Sequence, residues 1–223
     1  YNIVKPYMLY QWFTHPESFS WMQMIIMLLA LVIVIAIHEF CHALASYSLG
    51  DHTAEHEGRL TLNPLSHLDL VGSLLLLFVG FGWGKPVPFN PYNLRWRKWG
   101  SAAVALAGPI SNFVTAIIFS LVLRVVIGSV SDSSYLLTFL IYLIIYSLLL
   151  GVFNLLPIPP LDGSKVLFTL LPLKYEFITV WLQKNGFLFL IIVLILLDVA
   201  NIPIFALAVN FCLQLLGLPS LLG

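Results

Sequence analysis

The sequence predicts an all-α membrane protein, a multi-span helical bundle with a re-entrant or short β-containing element between its first and second clear spans. Three observations carry that expectation. The chain has 223 residues, 60% of them hydrophobic and 9% charged, with a mean hydropathy of +0.98; soluble domains carry about 25% charged residues. Several apolar stretches reach the ~20 residues that a membrane-crossing helix needs. Between the first two lies a shorter apolar stretch too rich in glycine to read as a span. The length suits one integral-membrane domain over residues 1–223.

The first span covers residues 21–49. From Ile25 to Ile37 it reads IIMLLALVIVIAI, without a charge or a strong helix breaker. It is too long for a signal-peptide core and lacks a small-residue cleavage site, so no cleavable leader is expected. The first residue is Tyr1 rather than Met, so further N-terminal residues are expected. The span runs directly into His38-Glu39-Phe40-Cys41-His42. Ionisable groups at membrane depth are costly and tend to mark function. At 100° per residue, His38 and His42 stand about 40° apart on one helix face, and Glu39 falls about 60° from His42. Two imidazoles one turn apart can bind zinc, and the Glu beside them can take a proton from zinc-bound water. Cys41 projects near the same face, where a small buried hydrophobe is the simpler role.

Residues 51–69 are polar and hold three histidines. Residues 70–84 are apolar but short, with Gly72, Gly80, Gly82 and Gly84. A re-entrant element over about residues 70–91 is expected there, and irregular backbone at that depth must be covered by protein or line a wet cavity. Lys85-Pro86-Val87-Pro88-Phe89-Asn90-Pro91 reads as extended chain or loop, since proline disfavours helix before it. The second span is residues 99–127, mildly broken at Gly108-Pro109, and the third is 134–156, ended by Pro157, Pro159 and Pro160. A polar stretch with Lys165, Lys174 and Lys184 follows. The fourth apolar block, 186–216, is interrupted by Asp198, Asn201 and Pro203, which leaves one broken span or two.

Charge placement sets the orientation. Arg59, Lys85, Arg95, Arg97 and Lys98 crowd the connection after the first span, and Lys165, Lys174 and Lys184 follow the third. By the positive-inside rule both ends face the cytoplasm and the turn near Asp132 faces outward. This closes only if residues 70–84 enter and return on one side. His38 then lies in the cytoplasmic half of the bilayer. Arg124, near the outer end of its span, can snorkel. Ten basic and ten acidic residues balance to zero. With no basic run and no nucleic-acid motif, no nucleic-acid partner is expected. Cys41 and Cys212 lie in apolar segments and imply no disulfide framework.

Two histidines leave a catalytic zinc site one protein ligand short. Asp162, His52, His56, His67, Asp69 and Asp198 are the candidates. Asp162 is the best of them, because the prolines before it unwind a membrane-helix end and Gly163 frees the backbone after it. Pro-Pro-x-Asp-Gly also fits an ordinary turn. His52-Thr53-Ala54-Glu55-His56 matches the inverted zinc-peptidase pattern H-x-x-E-H, but its polar, glycine-bounded setting reads more simply as a surface loop. His67 fits a surface position, a partner to the site, or the base of the re-entrant element. His15 reads as exposed.

His-Glu-x-x-His in a membrane helix, followed about 120 residues later by Asn154-Leu155-Leu156-Pro157-Ile158-Pro159-Pro160-Leu161-Asp162-Gly163, resembles the site-2 protease family of intramembrane zinc metalloproteases. Gly108-Pro109-Ile110-Ser111-Asn112 is similar to that family's G-P-x-x-N element. Gly58-Arg59, Asn63-Pro64, His67 and Lys85-Pro86-Val87-Pro88 resemble a compact prokaryotic branch, expected to lack PDZ and cystathionine-synthase-type domains. The resemblance covers roughly residues 30–170. It implies one Zn2+ per chain held by His38, His42 and Asp162, with Glu39 as general base and acid. It places Asn112 and Asn154 close to substrate; each could instead cap or bridge membrane helices.

The implied activity is hydrolysis of a peptide bond in or near a transmembrane segment of a membrane-protein substrate, within the lipid bilayer of a prokaryotic cell. The alternative is a zinc-binding membrane transporter or an inactive scaffold with the same ligands. Transporters often show repeated halves with matched broken helices. This chain carries one pentad and no second copy, and Glu39 is present. The sequence sets no oligomeric state.

Overall fold

The computed structural model describes residues 20–69, 72, 84–131 and 134–218. Most of the expected re-entrant stretch, the turn at Asp132 and His15 lie outside the described residues. Helix α1 spans Trp21–Ser48, α2 Arg97–Val126, α3 Tyr135–Asn154, α4 Asp162–Leu170, α5 Glu176–Val199 and α6 Ile204–Leu215. Four helical stretches, 21–48, 97–126, 135–154 and 173–199, are long and apolar enough to cross a membrane. Among the described residues the only β feature is an antiparallel bridge between Leu68 and Gly84. That bridge joins Leu68 and Gly84, which flank the expected re-entrant stretch.

The bundle is built on α1, α2 and α3, which pack on one another. The buried row of α1 steps by four residues through Ile26, Ala30, Val34, His38, His42 and Ser46. Helix α2 buries Gly100, Val104, Gly108, Asn112, Ala116 and Ser120 at the same spacing. Side chains four apart form the ridges by which helices interlock, and the small residues in both rows let the backbones approach closely. Helix α3 closes the core with Leu140, Leu143, Ile144 and Leu148, and α6 adds Val209 and Leu213. The opposite face of α2 leaves Ile110, Val114, Ile117, Ile118, Leu121 and Val125 exposed. Such an apolar stripe is a liability in water and the expected surface against lipid tails.

The fourth apolar block is two helices. Asn201 adopts a left-handed backbone (φ 51°) and Pro203 follows, so the chain leaves α5 and restarts as α6. The twelve residues of α6 rise about 18 Å, short of a ~30 Å hydrocarbon core. Helix α5 starts at Glu176, ten residues before the expected 186, because Gln183, Lys184 and Asn185 continue the helix rather than interrupt it. It buries only Leu182, Gly186 and Leu190. At Gly186 an added Cβ would lie 2.7 Å from the Pro159 ring, so glycine permits that contact. Arg124, expected to snorkel, donates from Nη2 to Leu216 O.

The loop after α1 is tied down by a buried carboxylate. Asp51 accepts from Ser46 Oγ (3.0 Å), Thr53 Oγ1 (2.6 Å) and N (3.2 Å), Asn90 N (2.7 Å) and Asn93 Nδ2 (3.1 Å). Burial alone would push this carboxyl up; the donors from Thr53, Asn90, Asn93 and Ser46 outweigh it and bring its pKa down from 3.8 to about 2. The tether is therefore complete above about pH 4 and weakens as pH falls toward 2. Asp51→Ala is expected to cost on the order of 3 kcal/mol by orphaning these donors. Thermal unfolding of the purified protein between pH 7 and pH 2 checks this: the variant should melt lower at pH 7, and its deficit should shrink at the acid end.

Candidate metal centre and active site

The i, i+4 row of α1 carries His38 and His42 into the bundle, 4% and 6% exposed. Asp162 reaches them from the first residue of α4. Its placement depends on Gly163: a Cβ there would overlap the carbonyls of Leu155 and Leu156, so only glycine lets the chain fold back onto the end of α3. The Asp162 carboxylate also sits at a helix N-terminus, which favours negative charge.

His42 Nε2 and His38 Nε2 lie 3.0 Å apart, and Asp162 Oδ2 is 3.2 Å from His38 Nε2 and 3.0 Å from His42 Nε2. The two rings meet edge-on, with centroids 4.6 Å apart. His42 Nδ1 is 2.7 Å from Val104 O. A carbonyl only accepts, so Nδ1 carries the proton and neutral His42 keeps a bare lone pair on Nε2. Asn112 Nδ2 lies 3.0 Å from His38 Nδ1, while Asn112 Oδ1 is buried without a partner among the described residues. The amide's oxygen and nitrogen have interchangeable shapes. With the oxygen turned toward the ring, Nδ1–H donates to it and Nε2 of His38 is bare as well.

Three electron-rich atoms crowded together in a buried site call for a cation between them. Tetrahedral zinc with bonds of about 2.0–2.1 Å sets its ligands about 3.3 Å apart, close to the observed separations. The space is shaped for these rings, since a Cβ on Gly108 would overlap His42 Nε2 and the His38 ring. Two imidazoles and a carboxylate also suit zinc chemically. Among the described residues these three are the only group of His, Cys, Asp or Glu placed to hold a metal ion.

Helix α2 thus supplies a column of supports at four-residue spacing: Val104 O for His42, Gly108 for clearance, and Asn112 for His38. Pro109 leaves the neighbouring Ala105 carbonyl without its usual helical donor, loosening α2 at this level. The remaining Asp162 oxygen, Oδ1, accepts from Lys165 Nζ (3.4 Å), whose ammonium also lies 5.2 Å from the centre of the Phe89 ring. Such outer contacts orient a ligand carboxylate.

Glu39 is half-buried, and its Oε2 accepts from Val87 N–H at 3.2 Å. It stands outside the three-donor group. Asn112 bridges α2 to α1 through the His38 ring. Asn154 donates from Nδ2 to Leu150 O in its own helix (3.1 Å) rather than to the cluster. His52 pairs with Glu55 (2.7 Å) on an exposed one-turn helix, Thr53–His56. His67, left open by the sequence, is fully buried in the loop. Sequence reasoning did not find Val104, Val87 or Lys165 as contacts. The first two act through peptide groups, which no side-chain pattern reports; the i, i+3 spacing of Asp162 and Lys165 was the available signal for the third.

Membrane-length helices enclosing a His, His, Asp group beside a glutamate define a membrane-embedded metallopeptidase. The comparisons with known proteins make this specific. A family model described as peptidase family M50 matches residues 122–197. "Putative zinc metalloprotease YwhC" of Bacillus subtilis is 40% identical over 151 residues, 66% of this chain and 69% of that protein. "Putative zinc metalloprotease Rip2" of Mycolicibacterium smegmatis is 33% identical over 168 residues, 72% of this chain and 63% of the relative. "Putative zinc metalloprotease MJ0611" of Methanocaldococcus jannaschii is 29% identical over 158 residues, covering 70% of this chain and 75% of its own length. No solved structure matches the chain. The chain belongs to peptidase family M50, the site-2 proteases, and is a multi-pass membrane zinc metalloprotease of that family.

Proposed function

We propose that this chain cleaves a peptide bond in or near a transmembrane segment of a membrane-protein substrate, with His38, His42 and Asp162 holding the zinc ion and Glu39 moving the proton. The observation that carries this reading is the convergence of the three donor atoms between α1 and α2, one residue from Glu39. When bound, the ion supplies a Lewis acid for the scissile carbonyl and acidifies water to near neutrality. Asp162 Oδ2 and the two Nε2 atoms hold the ion, while Val104 O and Asn112 keep the rings in place. Val87 N–H fixes Glu39 Oε2, which leaves Oε1 to take the proton from the attacking water. The same oxygen returns it to the leaving amine nitrogen. Asn112 and Asn154 are assigned to the substrate's surroundings by the family resemblance; with the Asn112 oxygen taken by the His38 ring, its amide nitrogen is left to donate, which supports the first of them.

A helical substrate shields its peptide bonds, so it must unwind locally before cleavage. Strand pairing with the Lys85–Pro88 edge is narrow in kind: Lys85 N–H is taken by His67 O and Val87 N–H by Glu39, and both prolines lack one. An extended substrate meets that edge only as the donor. The charge pattern supports a site in the cytoplasmic half of a prokaryotic cell membrane.

Zinc content and cleavage measured together test this reading. Elemental analysis should find one zinc per chain in the wild type, none in His38→Ala or Asp162→Ala, and one in a His52→Ala/His56→Ala double variant. Cleavage of tagged single-span membrane proteins co-expressed with the chain should follow the zinc. Zinc lost only from the double variant would move the metal to the surface loop and sink the intramembrane site.

A further inference from the structure

Away from the three-donor group, the loop after α1 buries a guanidinium against an imidazole. Arg59 is 3% exposed and His67 0%. Among the described residues Arg59 Nε and Nη1 have no hydrogen-bond partner, and Nη2 donates to Lys85 O (2.5 Å) and lies 3.4 Å from His67 Nδ1. A buried cation whose partners are a carbonyl and a neutral ring is expensive to keep. His67 is itself fixed: its Nε2 donates to Thr61 O (2.8 Å), so Nδ1 is the bare acceptor turned toward Arg59.

Together these two residues hold both backbone groups of Lys85. Lys85 N–H donates to His67 O (2.8 Å), and Lys85 C=O accepts from Arg59. Pro86 follows and has no N–H. The next donor along the segment is Val87 N–H, and it sits on Glu39 Oε2 (3.2 Å). In extended chain, groups two residues apart point the same way, so a grip on Lys85 dictates the aim of Val87 N–H.

We propose that Arg59 is a positioning residue for Glu39, acting through Lys85 and Val87 to hold the carboxylate in its working orientation. The inference rests on the reading of Glu39 as the proton carrier. Arg59 touches neither the metal ligands nor the reacting atoms. Without its grip Lys85 keeps only its N–H bond to His67, and the Val87 donor loses the constraint that aims it. Misplacing a catalytic group by about 1 Å costs up to ~100-fold in rate.

Hydrogen exchange of the zinc-loaded full chain in micelles, with fragmentation that separates Lys85 from Val87, tests this directly. The two prolines make these amides easy to resolve, because Pro86 and Pro88 contribute none. In Glu39→Ala, Val87 should exchange at least tenfold faster while Lys85 stays protected. In Arg59→Lys, Val87 should also exchange at least tenfold faster, with one zinc retained and no change across α1 and α2. For a single-span reporter that the wild type cleaves, kcat of Arg59→Lys should fall about 10- to 100-fold with KM within twofold. Arg59→Ala should show the same pattern more strongly; should it fail to fold, Arg59→Lys decides alone. Wild-type Val87 exchange in Arg59→Lys overturns the proposal, as does raised exchange with unchanged kcat. A uniform rise across α1 and α2 also overturns it, since Arg59 would then serve folding alone. Full cleavage by Glu39→Ala would remove the protease role of Glu39 instead, and the Val87 exchange would still report whether Arg59 holds the segment.

Discussion

Glu39→Gln is expected to lower cleavage about 10³-fold or more, within the range that a lost general base costs, while the zinc content stays at one per chain. The amide has the shape of the carboxylate and still accepts from Val87 N–H, so the loop and the helix are undisturbed. What disappears is the basic oxygen that, on the proposed reading, takes a proton from water and hands it to the leaving nitrogen. Side-by-side turnover and elemental analysis of wild type and variant check the expectation. Cleavage within tenfold of wild type, with zinc in place, would sink the assigned role.

Gly108→Ala is expected to empty the metal site. The added methyl would overlap His42 Nε2 and the His38 ring, both facing α2 at that level. One imidazole must turn away or the two helices must part, and overpacking of this kind typically costs about 1–3 kcal/mol. Zinc per chain should fall from one toward zero, and cleavage with it. Gly128→Ala is the matched control, because among the described residues nothing lies within 4 Å of a Cβ there. If Gly108→Ala keeps full zinc, the site tolerates a wider helix separation than its geometry implies.

The parts of this molecule that were readable in the sequence are those written in side chains. Apolar runs set α1, α2 and α3 to within a few residues, because only a helix satisfies every backbone group inside lipid. The spacing of His38 and His42 put both rings on one helix face, where the structure brings them together. Asp162 needed the resemblance as well, since Pro-Pro-x-Asp-Gly is an everyday turn until the fold brings it 120 residues back to His42. The fold also drew together what no local pattern joins. Asp51 gathers donors from Ser46, Thr53, Asn90 and Asn93, separated by up to 42 residues. The true start of α5 was hidden because Glu176, Gln183, Lys184 and Asn185 look like loop, although they form its polar turns. Gly108 appeared in a motif without its reason, which is steric and exists only once α1 is alongside.

The backbone bond from His42 to Val104 has a consequence for how this site can change. Its acceptor is a peptide carbonyl, which all twenty residue types possess. Any residue that keeps α2 helical at position 104 leaves that support standing, so an alanine scan passes over it in silence. The side chain at 104 is constrained only by packing, while the carbonyl keeps the imidazole anchored. The residue that chemistry and selection can discriminate lies one turn on, at Gly108, where the only tolerated side chain is a hydrogen atom.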